Sequence, residues 1–188
     1  MKFPVWIVSA ALVASCQTPG HHGDEQSPFF QVPAGSRLVL HRELAVPAED
    51  VSVYLQYGQV MPQKQLNLYH PQCKIEMRRR LPTGQTIRVD EFMVTRVTRD
   101  MTQHMVWLAS IDVASAPLAR RVSGGVDSGM GPNTFLTILT IASDRQPEVM
   151  RMTCGYWGYI GRGDNHLSIR EIRAALGEVL TLHLPAAS

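Results

Sequence analysis

The chain is short of several things that would settle its class at once. It has 3 cysteines in 188 residues, too few for a small scaffold held together by disulfides alone. Its 18 basic and 16 acidic residues leave a formal charge of +2. That lacks the concentrated positive field through which proteins neutralise phosphates, so no nucleic-acid partner is expected. No internal repeat is visible, and the apolar run from about Phe3 to Val13 is roughly half the ~20 residues of a membrane-crossing helix. Catalytic spacings are missing too. Ser128 lacks the first glycine of a nucleophile elbow and precedes a strand pattern rather than a helix. The glycine run from Gly124 to Gly131 has no Gly-Lys-Ser/Thr ending to cradle phosphate. His41, His70, His104, His166 and His183 are scattered without the paired spacing of a zinc site. No cofactor is expected.

What is present begins at the N-terminus. Lys2, the apolar stretch and the small residues Val13-Ala14-Ser15 before Cys16 have the layout of a secretory signal. The run Val13-Ala14-Ser15-Cys16 resembles the lipobox of bacterial lipoprotein precursors. That resemblance implies cleavage before Cys16 by signal peptidase II, a diacylglycerol on its sulfur and an acyl chain such as palmitate on its amino group. Several chains hold a protein at a bilayer that one chain would release. Gln17 and Thr18 differ from the aspartate of an inner-membrane retention signal, so a periplasm-facing anchor in the outer membrane is expected. Val32-Pro33-Ala34-Gly35-Ser36, Tyr69-His70-Pro71-Gln72-Cys73 and the stretch from Cys154 to Gly177 are similar to small uncharacterised proteobacterial lipoproteins, which confer a role only on Cys16.

With Cys16 committed to lipid, Cys73 and Cys154 are left as a pair in a compartment where disulfides persist, and we expect them to be bridged. Residues 1–15 are then signal, and 16–28 a lipidated cysteine with a polar tether that cannot bury enough surface to order itself. Residues 29–188 form one domain. His21 and His22 sit in that tether without a third ligand and are assigned no role.

From Phe29 onward, period-two alternation dominates. It is clearest at Val51, Val53, Leu55 and Tyr57, and recurs over 36–41, 74–80, 85–89, 92–99, 105–111, 134–141, 149–154 and 179–184. Turn signals separate these runs. One helix is signalled where Ser168 and Glu171 form a capping box, Leu167 can staple to Ile172, and Gly177 supplies a left-handed stop. The expected fold is mainly β (α+β): an antiparallel sandwich or barrel-like sheet with one C-terminal helix packed on it.

The strongest candidate binding surface is the segment 155–166, with Tyr156, Trp157, Tyr159, Arg162, Asp164 and His166 among glycines. Such rings can stack on a sugar or grip a peptide, or they can cover the disulfide and plug one end of the sheet. Met101, His104 and Met105, with Met150 and Met152, offer soft ligands for monovalent copper or flexible core filler. Continuing the strand through Arg78, Arg79 and Arg80 puts Arg78 and Arg80 on one face with Glu76, as a solvated sheet face or a patch toward lipid phosphate. The reading that absorbs most of these features is a non-enzymatic envelope lipoprotein that holds a protein or glycan partner. The alternatives are an envelope enzyme using His166 or Asp164, and a copper-handling protein. Cys16→Ser should abolish incorporation of a labelled fatty acid and leave residues 1–15 attached, as intact-mass measurement of the membrane fraction would show.

Overall fold

In the computed structural model the residues described are 23–105, 130–160 and 165–186. Cys16, His21, His22, Ser128, Arg162, Asp164 and the strand pattern beyond Met105 lie outside them. The alternation seen in the sequence becomes strands β1 (Arg37–Leu40), β2 (Leu44–Val46), β3 (Ser52–Gln56), β4 (Gln59–Met61), β5 (Gln72–Met77), β6 (Gln85–Ile87), β7 (Asp90–Met105), β8 (Met130–Ala142), β9 (Val149–Gly158) and β10 (Leu180–His183). Eight of them form one curled antiparallel sheet, a half-barrel, in the order β10-β1-β7-β8-β9-β5-β3-β4. The other two, β2 and β6, pair separately. Of the two architectures expected, the barrel-like sheet is the one formed.

Every second side chain points inward. Val53 and Leu55 on β3, Cys73 and Ile75 on β5, Met152 and Cys154 on β9, and Leu139 and Ile141 on β8 are buried together in the core. Burying one such side chain stabilises the fold by about 1.5–3 kcal/mol. The helix α1 (Ile169–Leu176) lies over this inner face against β3, β5 and β10. Its capping box is complete: the Glu171 N–H donates to Ser168 Oγ and the Ser168 N–H donates to Glu171 Oε2 at 2.8 Å. Leu167 and Ile172 are both buried, as a staple requires. Ile169, Ile172, Ala175 and Leu176 form the buried stripe. Gly177 ends the helix at φ 55°, in the region that favours glycine.

The helix also links the two ends of the sheet. Tyr57 and Gly58, both at positive φ, make the two-residue turn between β3 and β4, and the Gly58 N–H donates to Ala175 O at 3.1 Å. A Cβ on Gly177 would come within 2.3 Å of Gly58 Cα. Glycine at both positions therefore lets the turn touch the start of the chain leading to β10.

Two segments depart from the sequence reading. The strand expected over 74–80 ends at Met77, after a register shift between Glu76 and Met77. Arg78, Arg79 and Arg80 are exposed and non-strand, with Arg78 Nε donating to Pro147 O at 2.9 Å. They share no sheet face with Glu76. The tether read as far as Pro28 is also held from Glu25 onward. The Arg170 N–H donates to Glu25 O at 3.1 Å, the Glu25 carboxylate pairs with Arg173, and Arg99 Nη2 donates to Phe30 O at 3.0 Å. Phe30 packs against the core and anchors this strap, a contact that polar composition hides.

Cys73 and Cys154 face each other across β5 and β9 and are bonded. Their separation of 81 positions corresponds to about 4.5 kcal/mol of loop-closure stabilisation. Replacing both by alanine should lower unfolding free energy by about 2–4.5 kcal/mol, read as a reduced denaturant midpoint with an oxidised wild-type control.

Candidate functional site

β9 runs to Gly158, four residues past the expected strand, and this extension divides the candidate aromatics. Tyr156 faces inward, its ring stacked with Phe135 at 5.8 Å and its hydroxyl accepting from the Asn165 N–H at 3.1 Å. His166 meets the edge of the same Phe135 at 5.8 Å. Burial and the Arg99 guanidinium hold the His166 ring below the ordinary imidazole range. Trp157 points to the other side of the sheet, the outer face. There it is 5.0 Å from the His104 ring and 5.9 Å from Tyr69, which stacks on Tyr159 at 6.5 Å. A hydrogen bond with the Tyr159 side chain pushes the Tyr69 phenol up.

Three elements place this array. Thr134 on β8 lies directly opposite Trp157 and hydrogen-bonds His104 Nε2 through Oγ1 at 2.6 Å. The loop carrying Tyr69 is fastened by Gln56, a fully buried side chain on β3. Gln56 Nε2 donates to Asn67 O at 2.8 Å and to His70 O at 3.3 Å, and its Oε1 accepts from the Asn67 N–H at 3.0 Å. The Trp157 N–H then donates to Leu68 O at 2.7 Å, tying the loop to β9. Tyr69 stays half exposed at 51 %.

Beside Trp157 on the same face lies a cavity of about 190 Å³. Its lining includes Gly155 and Thr134, the loop residues Gln63, Leu66 and Leu68, and Tyr54, Gln72, Lys74, Leu136 and Thr153 from the sheet. Gly155 matters by having no side chain: a Cβ there would lie 2.2 Å from Phe135 O. Among the described residues the only charge in this lining, Lys74, is engaged by Glu76 at 3.0 Å. Glu76 is buried on the outer face, where its carboxylate also accepts from Arg151 Nε at 2.7 Å and Thr153 Oγ1 at 3.2 Å. Burial raises the Glu76 carboxyl, but the hydrogen bonds from Arg151 and Lys74 outweigh it and hold the group below the usual carboxylate range. The groove therefore presents amides, hydroxyls and apolar carbon with its charge internally paired.

The candidate residues thus separate. Trp157 and Tyr159 join the outer array, Tyr156 and His166 belong to the inner side, and Arg162 and Asp164 lie outside the described residues. The copper set is not assembled. Met101 and His104 are an odd number of positions apart on β7 and project to opposite faces, while Met152 is in the core. Among the described residues no group of three or more His, Cys, Asp or Glu side chains is placed to hold a metal ion. Tyr69 and Gln56 were missed as site residues. The signal for Tyr69 was the expected disulfide itself, because antiparallel pairing with Cys73 opposite Cys154 carries residues 68–70 alongside 157–159.

No family model, curated protein or solved structure matches the chain.

Glu76 stays ionised in the fold at pH values where the unfolded chain has already taken up a proton. Its contribution is complete above about pH 4.3, the ordinary glutamate value, and is lost as pH falls through the lower folded value. Glu76→Gln should cost about 1–2 kcal/mol at pH 7, discounted because Lys74 and Arg151 can rehydrate. Thermal midpoints of the two proteins should draw together as pH falls below the ordinary glutamate value of about 4.3.

Proposed function

We propose that this chain is an envelope lipoprotein, anchored through acylated Cys16, that acts without catalysis as a binding module for a neutral glycan. The anchor is supported by the charged start, the short apolar run and Ser15-Cys16 at its end. The glycan reading is carried by one observation: the Tyr69, Trp157 and Tyr159 rings cluster on the sheet face that carries a groove lined in part by Thr134, the cross-strand partner of Trp157, and that groove offers uncharged hydroxyl and amide groups and a lysine already paired. A sugar ring has an apolar C–H face that stacks on aromatic carbon and a rim of hydroxyls that exchange hydrogen bonds with amide side chains such as Gln63 and Gln72 in the lining. An acidic or basic ligand would find no unpaired opposite charge in that lining. The groove is small beside the 300–1,000 Å³ typical of drug-sized sites, which suits one ring of a longer chain rather than an enclosed molecule. The rigid wall supplied by Gln56 favours a preformed site, where little ordering opposes binding.

The test is titration of the purified protein with fragments of envelope glycan, followed by Trp157 fluorescence. Tyr69→Ala should weaken binding about 2- to 12-fold, equivalent to roughly 0.5–1.5 kcal/mol of ring stacking, and leave the thermal midpoint within a degree or two. Glycan affinity unchanged by Tyr69→Ala, or no glycan affinity at all, overturns the reading.

A further inference from the structure

Gly23, the first described residue, lies against the ring of Phe30, so close that a Cβ on it would be 1.9 Å from that ring. From there the strap follows turns in which the Ser27 N–H donates to Asp24 O and the Phe30 N–H donates to Ser27 O. Phe30 turns inward, and its neighbour Phe29 turns out to 77 % exposure, the highest of any large apolar side chain among the described residues. Met101, across the sheet from Phe135 and Tyr156, and Ile160, just beyond the end of β9, are 46 % and 50 % exposed at the same end of the half-barrel. Beside Phe29 the Glu25 carboxylate is paired with Arg173, Glu171 caps the helix, and Arg170 meets the neutral amide of Gln26.

We infer that this pole, with Phe29 at its tip, rests on the surface of the bilayer that holds the anchor; the inference depends on acylation of Cys16 as proposed above. Seven Cα steps separate Cys16 from Gly23, and seven steps of chain reach at most ~25 Å. A domain of this length is roughly 35–40 Å across. The strap pole is therefore always close to the lipid headgroups, while the opposite pole lies a domain's width away, beyond what the tether can span. An aromatic side chain held at the interface by a short tether gains contact at high effective concentration, so even one ring suffices. The side chain at the tip, Phe29, is apolar and uncharged, so the partner surface is the zwitterionic interface itself rather than anionic headgroups, and the ring's contact is insensitive to salt.

The experiment uses the full acylated protein in phosphatidylcholine vesicles carrying brominated acyl chains, which quench tryptophan on contact. Phe29→Trp is compared with Tyr57→Trp, placed on the turn at the C-terminal end of α1, both after subtraction of wild-type fluorescence. Intact mass establishes whether Cys16 carries lipid. At least twofold greater quenching at position 29, unchanged between low and high salt, is the expected result. Equal or weaker quenching at position 29 on acylated protein overturns this inference alone, as does quenching that salt abolishes. Absence of lipid on Cys16 overturns the inference together with the anchor.

Discussion

The pairing of Cys73 with Cys154 is the constraint on which the rest of the molecule turns. It fixes which residue of β5 faces which residue of β9, and register in an antiparallel pair decides which side chains share a face. A one-residue slip of β5 would send Ile75 to the outer side and bring Glu76 into the core. With the register as it stands, Glu76 meets Arg151 and Thr153 from the neighbouring strand, and Gln56 on β3 is carried under the loop that returns to Trp157. The inner and outer faces are thus two results of a single covalent choice.

The outer face shows how polar residues hold shape where apolar packing is absent. Gln56 and Glu76 are both buried, and each would be costly there without partners. Each is well supplied, Gln56 by main-chain groups of the 67–70 segment and Glu76 by Lys74, Arg151 and Thr153. A second acid, Asp90 at the start of β7, is treated in the same way by Ser143, Gln146 and Arg145, which fastens the turn between β8 and β9. These interactions are local and directional, so they fix loops and turns that the core does not reach.

Much of the fold was legible because alternation over β3, β5 and β8 is regular and the signals around α1 agree with one another: cap, staple, stripe and stop. Cys73 and Cys154 could be paired by elimination. What escaped has physical causes. β2 and β4 are three residues each, too short to show a period. Gly155 and Gly158 suggested a loop, whereas Gly155 permits β8 and β9 to approach closely, so the strand continued and Tyr156 and Trp157 parted company. Gln56 alternates with the core positions and looked solvated; only the returning loop buries it. The arginine run suggested a strand because charge at alternate positions mimics an outer face, but a register shift after Glu76 ends the pairing. Of the aromatic cluster, Trp157 and Tyr159 were visible as candidates, and Tyr69 required the disulfide to be followed outward along both strands.

The docked strap gives the molecule a mechanical character. A force drawn through Gly23 enters first at Phe30 and the Glu25 contacts with α1, and reaches β7 through Arg99. Those attachments are successive rather than side by side, so tension loads them in turn and the strap peels before the sheet is strained. The eight-stranded sheet, clamped at Cys73 and Cys154, lies behind that sacrificial link. The strap acts as a fuse that yields and re-seats while the groove on the far face keeps its shape.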